Sequence, residues 1–344
     1  MDKRQLDDAF KNKDTKQIHA ALNRLRTEKA PTPRAIFPVL SSPATPQSTP
    51  SLLLTTADIA MRHQLHYARI GEAPKEVVWT ETIRSNIRLC EELVEHDYGA
   101  VPGRQPENSP KTFKGHEKYG KLVRTLNRQI TVGEIEHALS KCSTNSAPGA
   151  DKIPFRVLKF FKAKLLTCLA LMYNASVITS KLPAQWLHSS VSPLYKLDQN
   201  RERDRTADVN NYRGISLLET MSKLLEKVLL IRLVAFINAW SPLSETQHGF
   251  VAGCDAPSHI TTLVEELRQR GCNSAVILMD ARKAFPSAPH CSIIAALWNK
   301  GLTGLFLKLC VTFLTGRSSH VVIADCSSTD YPIKRGVPEG AILS

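Results

Sequence analysis

The stretch ILMDARKAFPSAPH, from Ile277 to His290, ends an apolar run on one carboxylate, Asp280, and follows it with Lys283 and Phe285. Phosphoacceptor folds and nucleotide-binding sheets place a single Asp after a strand, so phosphate chemistry is one reading of Asp280. A cap or turn residue is another, and for a lone Asp it is the commoner one. Phe285 taken alone reads as a core aromatic. Elsewhere the loop QNRERDRTADVNNYRGI offers Arg201, Arg203 and Arg205 as phosphate partners, although the interleaved Glu202 and Asp204 suit a solvated loop equally. Gly336 and Gly340, in RGVPEG, allow either a close backbone approach to a ligand or a turn around Pro338.

These groups need elements to hold them. SAVILMD, Ser274 to Asp280, is short and rich in β-branched and aliphatic residues, and it follows a Gly271 break after the helical segment HITTLVEELRQR. A buried strand carrying Asp280 at its C-terminal end is expected there. Thr131 with Glu134 predicts a capping box for the helix GEIEHALSKC, and Ser216 with Glu219 predicts another at the head of a long helix. That long helix aligns Leu217, Leu218, Met221, Leu224, Leu225, Val228 and Leu229 on one apolar face. Before it, HSSVSPLYKL reads as an extended strand carrying Lys196, so the local order is strand, basic loop, helix.

The front of the chain is patterned more loosely. Residues 3 to 29 carry an amphipathic basic helical pattern, and APTPRAIFPVLSSPATPQSTPS supplies proline and hydroxyl residues in place of a core, which predicts a linker. A helix is expected around Thr80 to His96, followed by a polar stretch from Gly99 to Gly115.

With 344 residues and 42% hydrophobic content the chain can bury one large core or two smaller ones. Its 45 Lys and Arg against 32 Asp and Glu leave +13, and the sequence pI near 9.4 makes a polyanion the natural partner. No apolar run reaches the roughly 18 residues of a membrane span, and MDKRQLDDAF is not a signal peptide. The eight cysteines form no C-x-x-C pair, so no zinc site is expected, and they read as buried thiols of a reduced compartment, nucleus or cytoplasm.

Five stretches now fall in order: SAPGADKIP at 146–154, YRGISLLETMSKLLEKVLLIRL at 212–233, QHGF at 247–250, MDARKAFPSA around Asp280, and KRGVPEGAILS at 334–344. Together they resemble the reverse transcriptases of non-LTR, LINE-type retrotransposons, over about residues 131–344. The resemblance implies an RNA-directed DNA polymerase using RNA template, DNA primer and deoxynucleoside triphosphates, with Mg²⁺ as cofactor. It makes Asp280 a catalytic metal ligand and the Ala281 carbonyl a second ligand. It places Lys196 and Arg213 over the triphosphate, Phe285 beneath the incoming sugar, and Glu339 and Gly340 against the nucleotide.

Several positions depart from that pattern. Pro286 replaces an aspartate, Glu339 replaces a glutamine and sets a carboxylate beside the triphosphate, and Val251, Cys254 and Asp255 stand where basic contacts are usual. The paired-aspartate box that follows in the family is not among these residues, so a truncated domain, inactive alone, is expected. The alternative is a non-catalytic nucleic-acid-binding remnant or a transposon fossil.

The expected fold is α+β: right-hand polymerase fingers and a partial palm with an incomplete antiparallel sheet, behind a mostly helical, partly disordered N-terminal region. The corresponding division is 1–30 basic helical segment, 31–56 linker, 57–130 helical region with a flexible stretch, and 131–344 reverse transcriptase domain. The sequence leaves the oligomeric state open.

Overall fold

The computed structural model describes residues 39–40, 52–53, 56–71, 81–98, 101–110, 112–196, 208–270, 275–281 and 283–344. The expected basic helix at 3–29, nearly all of the linker, and the Arg201, Arg203 and Arg205 loop lie outside them. The helices are α1 (Thr56–Gly71), α2 (Glu81–Glu95), α3 (Phe113–Asn127), α4 (Val132–Lys141), α5 (Phe155–Phe160), α6 (Lys162–Thr179), α7 (Thr220–Trp240), α8 (Ala256–Arg270), α9 (Ala284–Ser287), α10 (His290–Asn299) and α11 (Leu305–Leu314). A two-residue pair, β1 (Val39–Leu40) and β2 (Leu52–Leu53), precedes the main sheet of β3 (His188–Tyr195), β4 (Tyr212–Leu217), β5 (Ser318–Ile323), β6 (Cys326–Ser327) and β7 (Tyr331–Pro332).

The α4 capping box is formed as its spacing predicts. Thr131 Oγ1 accepts from the Glu134 backbone N–H, and the Glu134 carboxylate accepts from the Thr131 backbone N–H at 2.9 Å. The same carboxylate pairs with Arg232 of α7 at 2.9 and 3.0 Å, and that guanidinium also donates to the carbonyls of Leu126, Arg128 and Gln129. Burial alone would raise the Glu134 carboxyl, but the Arg232 and Thr131 hydrogen bonds outweigh it and hold the group down at about 2. One acidic side chain thus caps α4 and locks it to α7.

Helix α7 organises the large helical core. Leu224, Leu225, Val228, Leu229 and Phe236 bury their side chains in a core to which α3, α4, α6, α10 and α11 also contribute, with α3 and α4 packed on α7. Each of these side chains contributes about 1.5–3 kcal/mol. Its polar buried residues hold loops. Lys223 donates to the Ala147 carbonyl at 2.5 Å, Thr220 to the Ile153 carbonyl at 2.5 Å, and Glu226 accepts from the Ile342 backbone N–H at 2.7 Å. A Cβ on Gly149 would stand 2.6 Å from the Glu219 nitrogen, so only glycine lets the 146–154 loop lie on the head of α7.

A smaller core joins α1 to one face of the sheet through Ile59, Ala60, Val191, Val321, Ile323 and Tyr331. The sheet is mixed, which corrects the antiparallel expectation: β3 pairs β4 antiparallel and β5 parallel, while β6 and β7 pair β5 antiparallel. Parallel pairing arises because β3 and β5 are joined through α7 to α11 and not through a hairpin.

Three further expectations are corrected. Ser216 does not cap a helix. It lies in β4 opposite Val191, and α7 begins at Thr220 with Glu219 at the cap position, its side chain making no capping bond to the helix. Ser216 is drawn into β4, where its backbone N–H donates to the Glu339 carbonyl at 2.7 Å, so a second strand stands between the basic loop and the long helix. SAVILMD is not a buried strand: residues 275–280 form no ladder, and Ile277, Leu278 and Met279 are 82%, 89% and 92% exposed. A strand needs a neighbour for its backbone groups, and no described strand pairs this one. Of the cysteines, Cys168 and Cys254 are exposed, and only Cys142 and Cys310 are fully buried among the described ones.

Candidate functional site

The β3–β4 hairpin, the 280–286 turn, the 334–340 loop and α1 enclose a cleft of about 870 Å³. Lys196, Arg213, Asp280, Ala281, Phe285, Glu339 and Gly340 all line it. Lys196 follows β3 directly, fixed by its backbone N–H to the Asn211 carbonyl at 2.9 Å, and Arg213 pairs with Leu194 across the hairpin. Gly214, next to Arg213, is needed where Tyr67 of α1 comes close, since a Cβ would meet that ring at 2.9 Å.

The 334–340 loop is docked on the 285–288 turn. Val337 N–H donates to the Phe285 carbonyl at 2.9 Å, Gly336 N–H to the Ala288 carbonyl at 2.7 Å, and Arg335 to the Ser287 carbonyl. Gly336 has φ 80°, and a Cβ there would fall 2.4 Å from the Pro286 backbone. A Cβ on Gly340 would stand 2.6 Å from the Ser216 carbonyl oxygen. The close approaches that these glycines permit are therefore to the protein's own backbone, which differs from the expected approach to a ligand. Pro286 sits inside the four-residue helical turn α9 without breaking it.

Charge in the cleft is partly compensated. Arg213 Nε lies 3.8 Å from the Glu339 carboxylate. Burial raises the Glu339 carboxyl above its usual range, while Arg213 and Lys196 pull it back. Asp208 is engaged by Asn210, whose backbone and side-chain N–H groups donate to it at 2.8 and 2.9 Å. Asp280 and Ala281 are exposed to solvent. Phe285 is half-buried and meets Phe250 of QHGF edge to face, ring centroids 5.9 Å apart.

Sequence reasoning missed His66 and Tyr67 of α1, together with Asn210, Lys283 and Arg335, all of which line the cleft. Lys283 Nζ stands 3.0 Å from His66 Nε2, and burial followed by the Lys283 charge lowers His66 to about 4, so the ring is neutral near pH 7. Lys283 and Arg335 lie inside recognised motifs and were within reach. Nothing local in α1 marks it as a wall of the cleft.

Residues 200–344 match the family described as reverse transcriptase (RNA-dependent DNA polymerase). A Drosophila melanogaster protein titled "Probable RNA-directed DNA polymerase from transposon X-element" is 29% identical over 215 residues, 61% of this chain and 23% of that protein. The RNA-directed DNA polymerase from mobile element jockey, of the same fly, is 25% identical over 217 residues, 62% and 23% of the two chains. The Xenopus laevis transposon TX1 149 kDa protein is 25% identical over 222 residues, 64% and 16%. The chain thus spans less than a quarter of the length of these curated relatives.

Proposed function

We propose, from the premise that this chain carries a reverse-transcriptase-like domain of the non-LTR retrotransposon kind, that the cleft binds a deoxynucleoside triphosphate for template-directed DNA synthesis. The β3–β4 hairpin and the 334–340 loop act as fingers elements, and the 280–286 turn as the palm edge. RNA template and DNA primer are the proposed partners, which the +13 charge suits. One observation carries the reading: seven residues from four separated stretches line one cleft.

Each side chain has a task on this reading. Arg213, a planar fork, and Lys196, a point charge, hold the triphosphate. Glu339 would repel that substrate if left bare, and the Arg213 pair offsets the repulsion. Phe285 stands under the sugar, where a flat ring leaves no room for a 2′-hydroxyl.

Mg²⁺ is the cofactor proposed, and the donor chemistry fits one ion. Asp280 offers an exposed carboxylate and Ala281 a carbonyl, both hard oxygen donors that together with phosphate oxygens match its preference. Such an ion would draw charge from the triphosphate. A two-ion clamp, with ions about 3.5–4 Å apart, needs further carboxylates. Of the other carboxylates lining the cleft among the described residues, Glu339 is paired with Arg213 and Asp208 with Asn210. The chain by itself is therefore proposed to bind nucleotide without extending a primer.

The test is nucleotide binding by calorimetry in Mg²⁺, with primer extension alongside. Replacing Lys196 or Arg213 with Ala should weaken binding about tenfold or more, and Asp280→Asn should remove its Mg²⁺ dependence. Binding indifferent to all three substitutions sinks the site. Incorporation that depends on Asp280 sinks the claim that the chain alone does not extend primers.

A further inference from the structure

The face of the sheet turned away from α1 carries a second group of chemically able side chains. In the parallel β3–β5 register His188 lies opposite Ser318 and Ser190 opposite His320, which sets these four side chains on one face. Ser319 pairs with Tyr331, so Asp330, just before β7, comes beside His320. The two imidazoles stack with centroids 4.8 Å apart. His188 Nε2 and His320 Nδ1 stand 2.6 Å from each other, and each is 3.7 Å from an Asp330 carboxylate oxygen.

The outer ring nitrogens are already occupied. His188 Nδ1 is 2.8 Å from Ser318 Oγ, and His320 Nε2 is 3.2 Å from Ser190 Oγ. Hydroxyls there fix both rings and direct the remaining nitrogens toward Asp330, the arrangement that outer-shell partners give to metal-binding histidines. Two imidazole lone pairs facing each other at this separation repel, so the pair calls for a proton or a cation between them. Atoms sharing a tetrahedral ion with bonds of about 2.0–2.1 Å stand about 3.4 Å apart. The observed 2.6 and 3.7 Å spacings bracket that value. The histidine side chains are 26% and 18% exposed and the Asp330 side chain 66%, so the two imidazoles are largely buried on the sheet and the carboxylate side is open to solvent.

We propose that His188, His320 and Asp330 form a binding site for one divalent transition-metal ion of the zinc class, with water in the fourth position. The ion would staple three strands of the sheet. Two imidazoles and one carboxylate are a donor set such ions favour over Mg²⁺. The absence of zinc expected from cysteine spacing does not bear on it, because no cysteine takes part. The proposal is independent of the nucleotide cleft.

The test titrates the full chain, stripped with chelator, with Zn²⁺ by calorimetry and with Co²⁺ by visible absorption. One ion per chain is expected, with a rise in melting temperature. Both signals should weaken at least about tenfold in His320→Ala and in Asp330→Asn. Asp330 is exposed, so its substitution spares the fold if His320→Ala does not. Ion uptake that survives Asp330→Asn within about twofold would show adventitious binding, for instance at exposed Cys168 or Cys254, and overturns the proposal. So does a protein that takes up no ion at about 0.1 mM, leaving the two rings to share a proton.

Discussion

Arg232 illustrates how much of this molecule hangs on single buried groups. It answers Glu134 and three backbone carbonyls at once. Arg232→Ala should therefore destabilise the chain by about 1–3 kcal/mol, since it takes the donor from the Leu126, Arg128 and Gln129 carbonyls, while Glu134 keeps Thr131 and Arg128 as partners. Denaturant unfolding that shifts by less than about 1 kcal/mol would show that water replaces the guanidinium there. At this scale the cleft was well legible. Asp280, Arg213 and Phe285 lie within motifs that read along the chain and Lys196 ends the extended segment HSSVSPLYKL, and all four line one cleft. His66, His188 and His320 were not legible, because what makes them notable is a neighbour supplied from far along the chain: Lys283 for His66, and each other for the sheet pair.

Helix α7 and the 146–154 loop meet at a pair of acids, and that contact has a pH signature. The Asp151 backbone N–H donates to Glu219 Oε1 at 3.3 Å. Burial, then the nearby Asp151 side chain, push the Glu219 carboxyl up to about 7. A folded-state value above the unfolded 4.5 means that ionising Glu219 costs more in the native state. Stability should thus fall as pH rises from about 4.5 through 7. Glu219→Gln keeps the acceptor and removes the charge, so melting curves of this variant should lose that fall and run above the parent at pH 8, by about 1 kcal/mol after solvent screening. Parallel curves for the two proteins would exclude Glu219 as the cause. At the element scale, the helix from Thr131 was legible because its capping box is local, whereas Ser216 and Glu219 have the same spacing yet lose Ser216 to pairing with β3. SAVILMD has the composition of a strand but no described neighbour to pair with, and composition cannot supply one.

Across the whole molecule the +13 charge predicts binding to single-stranded nucleic acid that is strongly salt-dependent. With about four phosphate contacts, affinity should drop roughly fiftyfold between about 50 and 200 mM salt. A flat salt response would remove the electrostatic argument for a nucleic-acid partner. Among the described residues no helix is long and apolar enough to cross a membrane. The α+β class was legible from alternating helical and extended patterns, while the mixed sheet was not, since its parallel pair joins residues 130 positions apart. That pair also sets a clock. The β3–β4 hairpin closes locally and can form as soon as Leu217 leaves the ribosome, but Ser318 emerges 130 residues after His188. At about 5–20 residues per second, β3 waits roughly 6 to 26 s for its second neighbour. For that interval its free edge is open to any strand nearby, so the nascent chain is most vulnerable to mispairing while α7 to α11 are being made, and slower translation there lengthens the exposure.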